Sequence, residues 1–198
     1  LYVEAFMRRL PEVDVGVWGE AEHRFATLVA TRQPKKIDGV YYREDGKVRY
    51  TGPPTDYPFA DLRKPRRDLV DHAPYAASSF VSIGVQSKRG CALHCIHCSD
   101  TYLAGNTVRT RPPEDVVDEI ENLVKNHNIT QLFFCDQIFN IPPDHAIEIC
   151  KEIVRRELKI EWSAWFNENQ NTLPDELMIW LKRAGCGLLS FSPDHVDD

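Results

Sequence analysis

The sequence predicts an α/β fold in which parallel strands and helices alternate from about residue 80 onward. Short runs rich in apolar and β-branched residues recur there, and segments with helical apolar spacing separate them. Strands that alternate with helices of this length are typical of parallel βαβ units. The sequence contains four such strands, whereas a complete (β/α) barrel has eight strands and about 250 residues, so part of a barrel is expected.

Each strand and helix of these units has its own signal in the sequence. The first strand is expected at 80–86, and the first helix follows Pro112 and Pro113, with acidic residues in its first turn. Gly185 ends the last helix, at a position that favours a left-handed backbone. The other expected elements are strands at 129–135, 159–165 and 187–191 and helices at 143–157 and 175–184.

Before residue 80 the sequence predicts a helix over residues 1–10, a β-hairpin and an irregular linker. Residues 39–50 alternate in polarity around an Asp-Gly pair, which is typical of a tight hairpin turn. The stretch 51–75 is too rich in proline for regular structure. Its basic run at 63–67 is short and the chain carries a net charge of -6, so we interpret this run as a solvated face and expect no nucleic-acid partner.

Three cysteines with CxxxCxxC spacing stand on the loop that follows the first predicted strand. They are Cys91, Cys95 and Cys98. A [4Fe-4S] cluster is normally held by four thiolates, so a set of three would leave one iron open to a substrate or cofactor. The alternative is a closed Cys3His zinc site, in which His94 or His97 is the fourth ligand. The spacing favours iron, and the zinc site remains the alternative.

The other cysteines and two tryptophans are interpreted as packing residues. Cys135, Cys150 and Cys186 lie in a strand, in a helix and in a helix-to-strand turn, where small apolar residues are commonly buried. A redox or substrate role is the alternative for Cys135, because it neighbours Asp136 at the predicted active face. Trp162 and Trp165 belong to a predicted strand and are expected in the core, with stacking on a substrate as the alternative.

The CxxxCxxC loop after the first strand resembles the signature of the radical S-adenosylmethionine enzymes. The resemblance covers residues 80–198. It implies the N-terminal half of a partial (β/α) barrel in which the three cysteines hold a [4Fe-4S] cluster. It also implies that S-adenosylmethionine binds the open iron and is cleaved reductively at a sulfur–carbon bond. No catalytic residue beyond the cluster is expected.

The same resemblance implies positions for the residues that bind S-adenosylmethionine. His97 stands where the family usually has an aromatic residue, and it is expected near the adenine. Asp136 and Gln137 follow the second strand, where the family binds the methionine amino end, although the usual Gly-Gly-Glu is absent. Ser190 and Ser192, on the fourth strand, are expected near the ribose.

The segment before the barrel resembles the end of the cobalamin-binding domain that one large subgroup of this family carries. Gly19-Glu20-Ala21-Glu22 matches that subgroup's common Gly-Glu-Gly-Glu except at Ala21. Gly19 and Glu20 are therefore expected to contribute to a cobalamin site. The implied segments are the C-terminal end of a doubly wound cobalamin-binding domain at 1–36, a hairpin and proline-rich linker at 37–79, and the barrel at 80–198.

The resemblance to this subgroup implies cobalamin-dependent methyl transfer to an unactivated position of a small molecule or peptide. Some members of the subgroup rearrange or cyclise their substrates instead. A reductant such as flavodoxin or ferredoxin is the implied electron donor. The alternatives are a cobalamin-free radical enzyme such as a methylthiotransferase, which would need further cluster cysteines upstream, and a non-catalytic zinc-binding module.

The composition predicts a cytoplasmic protein with no membrane partner. No apolar stretch approaches the length of a membrane span, and no signal segment opens the sequence. The first residue is Leu1, and only four strand segments follow residue 80, so sequence is expected to be missing at both ends.

Overall fold

The computed structural model describes residues 2–55, 57–59, 64–76, 83–96 and 98–192. The N-terminal part of the chain forms a three-stranded antiparallel sheet with the strand order β1-β2-β3. Its elements are α1 (Tyr2–Arg9), β1 (Val15–Val17), α2 (Glu22–Thr31), β2 (Val40–Glu44) and β3 (Lys47–Tyr50). The predicted N-terminal helix and the β-hairpin are both confirmed, and Asp45 and Gly46 form the turn with φ values of 51° and 72°.

β1 pairs with the hairpin that follows it in the chain. β1 pairs antiparallel with β2, so that Val15 faces Tyr42 and Val17 faces Val40. In the residues that the structure describes, β1 has only this antiparallel partner, and the end of a doubly wound domain at 1–36 stays a prediction. The physical reason is that β2 of the hairpin offers β1 a free edge of unpaired backbone groups.

A buried arginine joins α2 to the hairpin and to the proline-rich stretch. The Arg24 side chain is only 2% exposed, and its Nη2 atom lies 2.7 Å from Asp38 Oδ2. The same guanidinium donates to the carbonyl oxygens of Glu20 and Thr55. This pairing holds the pKa of the Asp38 carboxyl well below its usual range. The start of α2 therefore has a fixed position against the rest of the N-terminal part.

Four parallel strands form the second sheet, in the order β4-β7-β8-β9. They are β4 (Ile83–Val85), β7 (Gln131–Phe134), β8 (Glu161–Trp165) and β9 (Cys186–Ser190). The connecting helices are α5 (Pro113–His127), α6 (Pro143–Arg155) and α7 (Asp175–Arg183). The predicted parallel α/β fold is confirmed. The described strands form an open sheet, and closure into part of a barrel stays a prediction.

The ends of these helices follow from their sequence. α5 and α6 each begin with proline in the first turn, where the missing N–H has no intrahelical partner to lose. Gly185 follows α7 with φ of 85°, and a side chain there would collide with the Ile160 carbonyl oxygen. The predicted left-handed end of the last helix is therefore confirmed.

The hydrophobic core lies between the parallel sheet and the three helices. Phe134, Phe139, Trp162 and Phe166 form a chain of aromatic contacts with ring centroids 4.6–5.7 Å apart. Trp162 is 1% exposed, and its indole N–H donates to the Ala184 carbonyl oxygen at 2.9 Å. The prediction that Trp162 packs in the core is confirmed. Cys150 is also buried, as predicted.

Two short helical turns interrupt the stretch that was predicted to be irregular. They are a 3₁₀ turn at Arg67–Leu69 and α3 (Ala73–Ala76). The prediction of a solvated basic run also fails at Arg67, which donates to the Gly84 carbonyl oxygen and pairs with buried Glu119 at 2.5 Å. The physical reason is that the Glu119 carboxylate on α5 is buried and needs cationic partners. Among the residues that the structure describes, no helix has both the length and the apolar composition needed to cross a membrane.

Candidate metal and cofactor site

The three motif cysteines stand on a loop whose two ends are joined by a short ribbon. We call residues 90–108 the cysteine loop; His97 within it lies outside the described residues. β5 (Lys88–Arg89) precedes the loop and pairs antiparallel with β6 (Arg109–Thr110), which follows it. Gly90 opens the loop with φ of 86°, and a side chain there would collide with the Thr107 carbonyl oxygen. The ribbon therefore forms a narrow neck at the base of the loop.

Hydrogen bonds inside the cysteine loop fix the backbone near the thiols. The Cys91 N–H donates to the Gly105 carbonyl oxygen, and the Cys98 N–H donates to the Cys95 carbonyl oxygen, both at 3.2 Å. α4 (Asp100–Ala104) begins just after the motif, and the Asp100 N–H lies 3.5 Å from Cys98 Sγ. N–H groups that point at a sulfur stabilise a thiolate, which is the form that binds metal.

Cys91, Cys95 and Cys98 are free thiols that line one cavity of about 570 Å³. Burial raises the pKa of the Cys91 thiol, and the proximity of Cys95 and Cys98 acts in the same direction. A cation bound between the three sulfurs would favour the thiolate form, which is the form that binds metal. The donor set thus fits a metal cluster, although no three His, Cys, Asp or Glu side chains among the described residues are already arranged as a formed metal site.

The described residues give little support to a Cys3His zinc site. His94 is exposed and is not among the residues that line the cavity. Its Nδ1 atom lies 3.0 Å from the Ala92 carbonyl oxygen. His97, the other candidate ligand and the residue predicted near the adenine, lies outside the described residues.

The opposite wall of the cavity is formed by residues that follow β7. Gln137 lines the cavity, and its Oε1 atom is buried without a hydrogen-bond partner among the described residues. A buried acceptor that lacks a donor costs free energy of about 1–3 kcal/mol. The amide oxygen of Gln137 is therefore suited to receive an N–H group from a bound ligand.

Asp136 also reaches the cavity, but its carboxylate is engaged by the protein. The N–H and hydroxyl groups of Ser87 donate to it at 2.8 and 2.5 Å, and the Lys88 N–H donates at 3.2 Å. The Lys88 ammonium lies 3.7 Å from Asp136 Oδ2, and both side chains are at most 2% exposed. Burial lowers the pKa of Lys88, and the neighbouring carboxylate opposes this effect. Asp136 therefore ties the end of β7 to the strand that leads into the cysteine loop.

The remaining predicted site residues lie in different places. Ser192 lines the cavity and is exposed, whereas Ser190 lies within β9 and is not a lining residue. Gly19 and Glu20 line a separate cleft of about 180 Å³. The structure thus brings together the three cysteines, Asp136, Gln137 and Ser192, and it leaves Ser190, Gly19 and Glu20 apart from them.

Two residues on the cavity were predicted to be buried. Trp165, the last residue of β8, is 43% exposed and lines the cavity. Cys135 follows β7 directly, is exposed and lines the same cavity. The exposure of Trp165 could have been predicted from its distance of three positions from buried Trp162. Residues an odd number of positions apart in a strand face opposite sides of the sheet. The prediction of burial was wrong for both residues.

Comparison with known proteins identifies related sequences and folds. The family model for the radical SAM superfamily matches residues 85–198. An uncharacterized methyltransferase of Pyrococcus horikoshii is 31% identical over 193 residues, which are 95% of this chain and 42% of that protein. The chain thus spans less than half the length of this relative.

Two solved structures of the radical S-adenosylmethionine methyltransferase TsrM from Kitasatospora setae share the fold at 22% identity. One holds cobalamin and a [4Fe-4S] cluster, has a TM-score of 0.79, and is matched over 98% of this chain and 41% of its own. The other holds tryptophan and an analogue of S-adenosylmethionine, has a TM-score of 0.75, and is matched over 94% of this chain and 38% of its own.

Proposed function

The chain belongs to the radical SAM superfamily, and from this premise we propose that Cys91, Cys95 and Cys98 hold a [4Fe-4S] cluster beside a site for S-adenosylmethionine. The observation that carries the proposal is that three free thiols and the unpartnered Gln137 Oε1 line one cavity. Its volume of about 570 Å³ lies within the usual range of small-molecule sites. A set of three thiolates leaves an iron free for the cofactor.

The residues that line the cavity then have distinct roles in binding S-adenosylmethionine. Gln137 accepts a hydrogen bond from the methionine ammonium group, while Asp136 supports the cysteine loop from behind. Trp165 and Phe133 present apolar surface that excludes water and can stack on a planar group. Ser192 lies on the cavity wall and offers a hydroxyl to the ribose. His97 remains our candidate near the adenine, and Ser190 is the weaker ribose candidate.

The proposed reaction is cobalamin-dependent methyl transfer to a small molecule or peptide. When bound, the cluster supplies the electron that cleaves S-adenosylmethionine, and cobalamin carries the methyl group. Support comes from the 31% identical methyltransferase, whose match extends over the segment before residue 85, and from a fold shared with a cobalamin-containing enzyme. On this proposal residues 1–36 end a cobalamin-binding domain, 37–79 form the linker, and 80–198 begin the barrel. Gly19 and Glu20 stay predicted contributors to the cobalamin site.

The proposed chemistry also suggests the cellular compartment, the electron donor and the class of substrate. The six cysteines are free thiols, which favours a reducing compartment such as the cytoplasm. We propose a low-potential protein such as flavodoxin or ferredoxin as the electron donor. The substrate is proposed to be a small molecule or peptide that enters beside Trp165.

Full-length protein purified with hydroxocobalamin supplied is expected to retain about one cobalamin per chain after free cofactor is removed. The measurement is the corrin absorption together with bound cobalt. A stoichiometry near zero would discard methyl transfer from cobalamin and promote the cobalamin-free radical enzyme, such as a methylthiotransferase.

Replacing Gln137 by leucine is expected to weaken binding of S-adenosylmethionine by roughly 10- to 100-fold, because a hydrogen bond to a charged group contributes about 1.5–3 kcal/mol. Anaerobic calorimetry on full-length protein with a reconstituted cluster measures the change. Gln131→Leu is the matched control, since Gln131 is exposed at the start of β7, the strand that Gln137 follows. Equal affinities of the two variants for S-adenosylmethionine would show that Gln137 does not contribute to its binding.

A further inference from the structure

Two arginines face each other across the neck of the cysteine loop. Arg89 is the last residue of β5 and Arg109 is the first residue of β6, and the two are direct partners in the antiparallel ribbon. Gly90 follows Arg89 at once, and Cys91 comes next. Contacts made by these two side chains therefore fix the backbone at the two ends of the cysteine loop.

Both arginines are bound by carboxylates just before α2 and at its first residue. Arg109 donates to both oxygens of Glu20, with Nη2 at 2.5 Å and Nη1 at 3.0 Å. Arg89 lies 3.6 Å from Glu20 Oε2 and donates to Glu22 Oε1 at 2.5 Å. A two-point arginine–carboxylate contact fixes orientation as well as distance. We call these four residues the clamp.

The burial of the clamp distinguishes it from an ordinary surface ion pair. The side chains of Glu20, Arg89 and Arg109 are 15–17% exposed, and only Glu22 is open to solvent at 48%. Exposed pairs contribute little because water and salt screen them, and screening is weaker for partly buried pairs. Arg89 also packs over the Phe59 ring, 4.8 Å from its centroid.

Arg109 connects three parts of the chain through one side chain. Besides Glu20, it donates to the Ala104 carbonyl oxygen at 2.9 Å and to the Tyr57 carbonyl oxygen at 3.1 Å. Ala104 is the last residue of α4 inside the cysteine loop, and Tyr57 belongs to the proline-rich stretch. The loop, the linker and the N-terminal segment are thus held by a single guanidinium group.

We infer that Arg89 and Arg109 are positioning residues, which fix the cysteine loop against the N-terminal segment through Glu20 and Glu22. This role goes beyond the contribution to a cobalamin site that the sequence predicts for Glu20, because it rests on the two bonds between the Glu20 carboxylate and Arg109. The consequence at the cluster rests on the proposed function. On that proposal, residues 1–36 are the end of a cobalamin-binding domain. The clamp then sets the position of the three thiols relative to that domain.

The first test uses full-length protein without its cluster and measures hydrogen exchange across residues 90–108. Glu20→Gln is expected to speed exchange in the cysteine loop by about tenfold or more, with exchange in the parallel sheet unchanged. Arg109→Lys keeps the charge but loses the two-point contact, and it is expected to give a smaller change in the same loop. Glu4→Gln is the matched control, because it breaks an exposed pair with Arg8 in the same N-terminal part.

The second test uses the reconstituted protein and follows iron release to a chelator, together with the electron paramagnetic resonance signal on adding S-adenosylmethionine. Removing a residue that orients metal ligands typically costs 10- to 100-fold in metal affinity, so Glu20→Gln is expected to release iron about tenfold faster or more. A Glu20→Gln and Arg109→Gln double variant that releases iron no faster than Arg109→Gln alone would show that the two residues act as one unit.

Two outcomes would overturn the clamp. One is unchanged exchange in residues 90–108 in Glu20→Gln, and the other is a uniform loss of protection over the whole protein, which would indicate stability alone. A wild-type protein that binds no cluster would refute the proposed function instead, and the exchange experiment would still decide the clamp.

Discussion

Replacing Cys91, Cys95 and Cys98 together by alanine is expected to abolish binding of iron and sulfide in anaerobically reconstituted protein. These thiols line one cavity, and no other cysteine of the motif is available to replace them. Thiolates provide the bonds that hold such a cluster, so the loss is expected to be nearly complete. Metal and sulfide analysis with visible absorption measures it.

Cys186→Ala is the control for this experiment. Cys186 is a half-buried thiol at the start of β9 and lies outside the cavity, so its removal is expected to leave the iron content unchanged. A triple variant with a full complement of iron and sulfide would contradict the assignment. Wild-type protein that takes up zinc and shows no visible absorption would instead favour the zinc-binding module.

Replacing Asp136 by asparagine is expected to lower the free energy of unfolding by about 3–5 kcal/mol at neutral pH, because it leaves the buried Lys88 ammonium without its counter-charge. Asparagine keeps the shape and an acceptor for the Ser87 and Lys88 N–H groups. Urea denaturation of the full-length protein measures the change. The buried charge therefore accounts for most of the expected loss.

The pH dependence of this variant has a definite sign. Burial lowers the pKa of Lys88 in the folded protein, so the unfolded chain binds the proton more tightly. The Asp136→Asn protein should therefore regain stability as the pH rises toward the lysine value of the unfolded chain, about 10.4. Combining it with Lys88→Met should restore most of the loss. Equal stability of Asp136→Asn and wild type would mean that Lys88 is uncharged.

The sequence predicted the parallel part of the fold well because its helices, which are 9–15 residues long, are long enough to show their periodicity. The ribbon of Lys88–Arg89 with Arg109–Thr110 was not predicted, since two-residue strands have no periodicity to detect. The antiparallel partner of β1 was missed for a similar reason. Its three residues, Val15–Val17, indicate a strand but not the direction of its neighbour.

The candidate site was predictable where local spacing determines it. Cys91, Cys95 and Cys98 lie close together in sequence, and the cavity contains all three. The ion pair between Glu20 and Arg109, 89 positions apart in sequence, was not predicted. Such pairing depends on the tertiary fold, and a single sequence gives no local signal for it.

The neck at the base of the cysteine loop affects the order in which the protein and its metal come together. Gathering three thiols from a flexible chain costs conformational entropy, and closing a loop is part of that cost. Here β5 and β6 close the loop as part of the fold itself. Most of this entropy is lost when the chain folds and not when iron arrives. We therefore expect the chain to fold before the proposed cluster binds, unlike a zinc finger, which folds only when the ion binds.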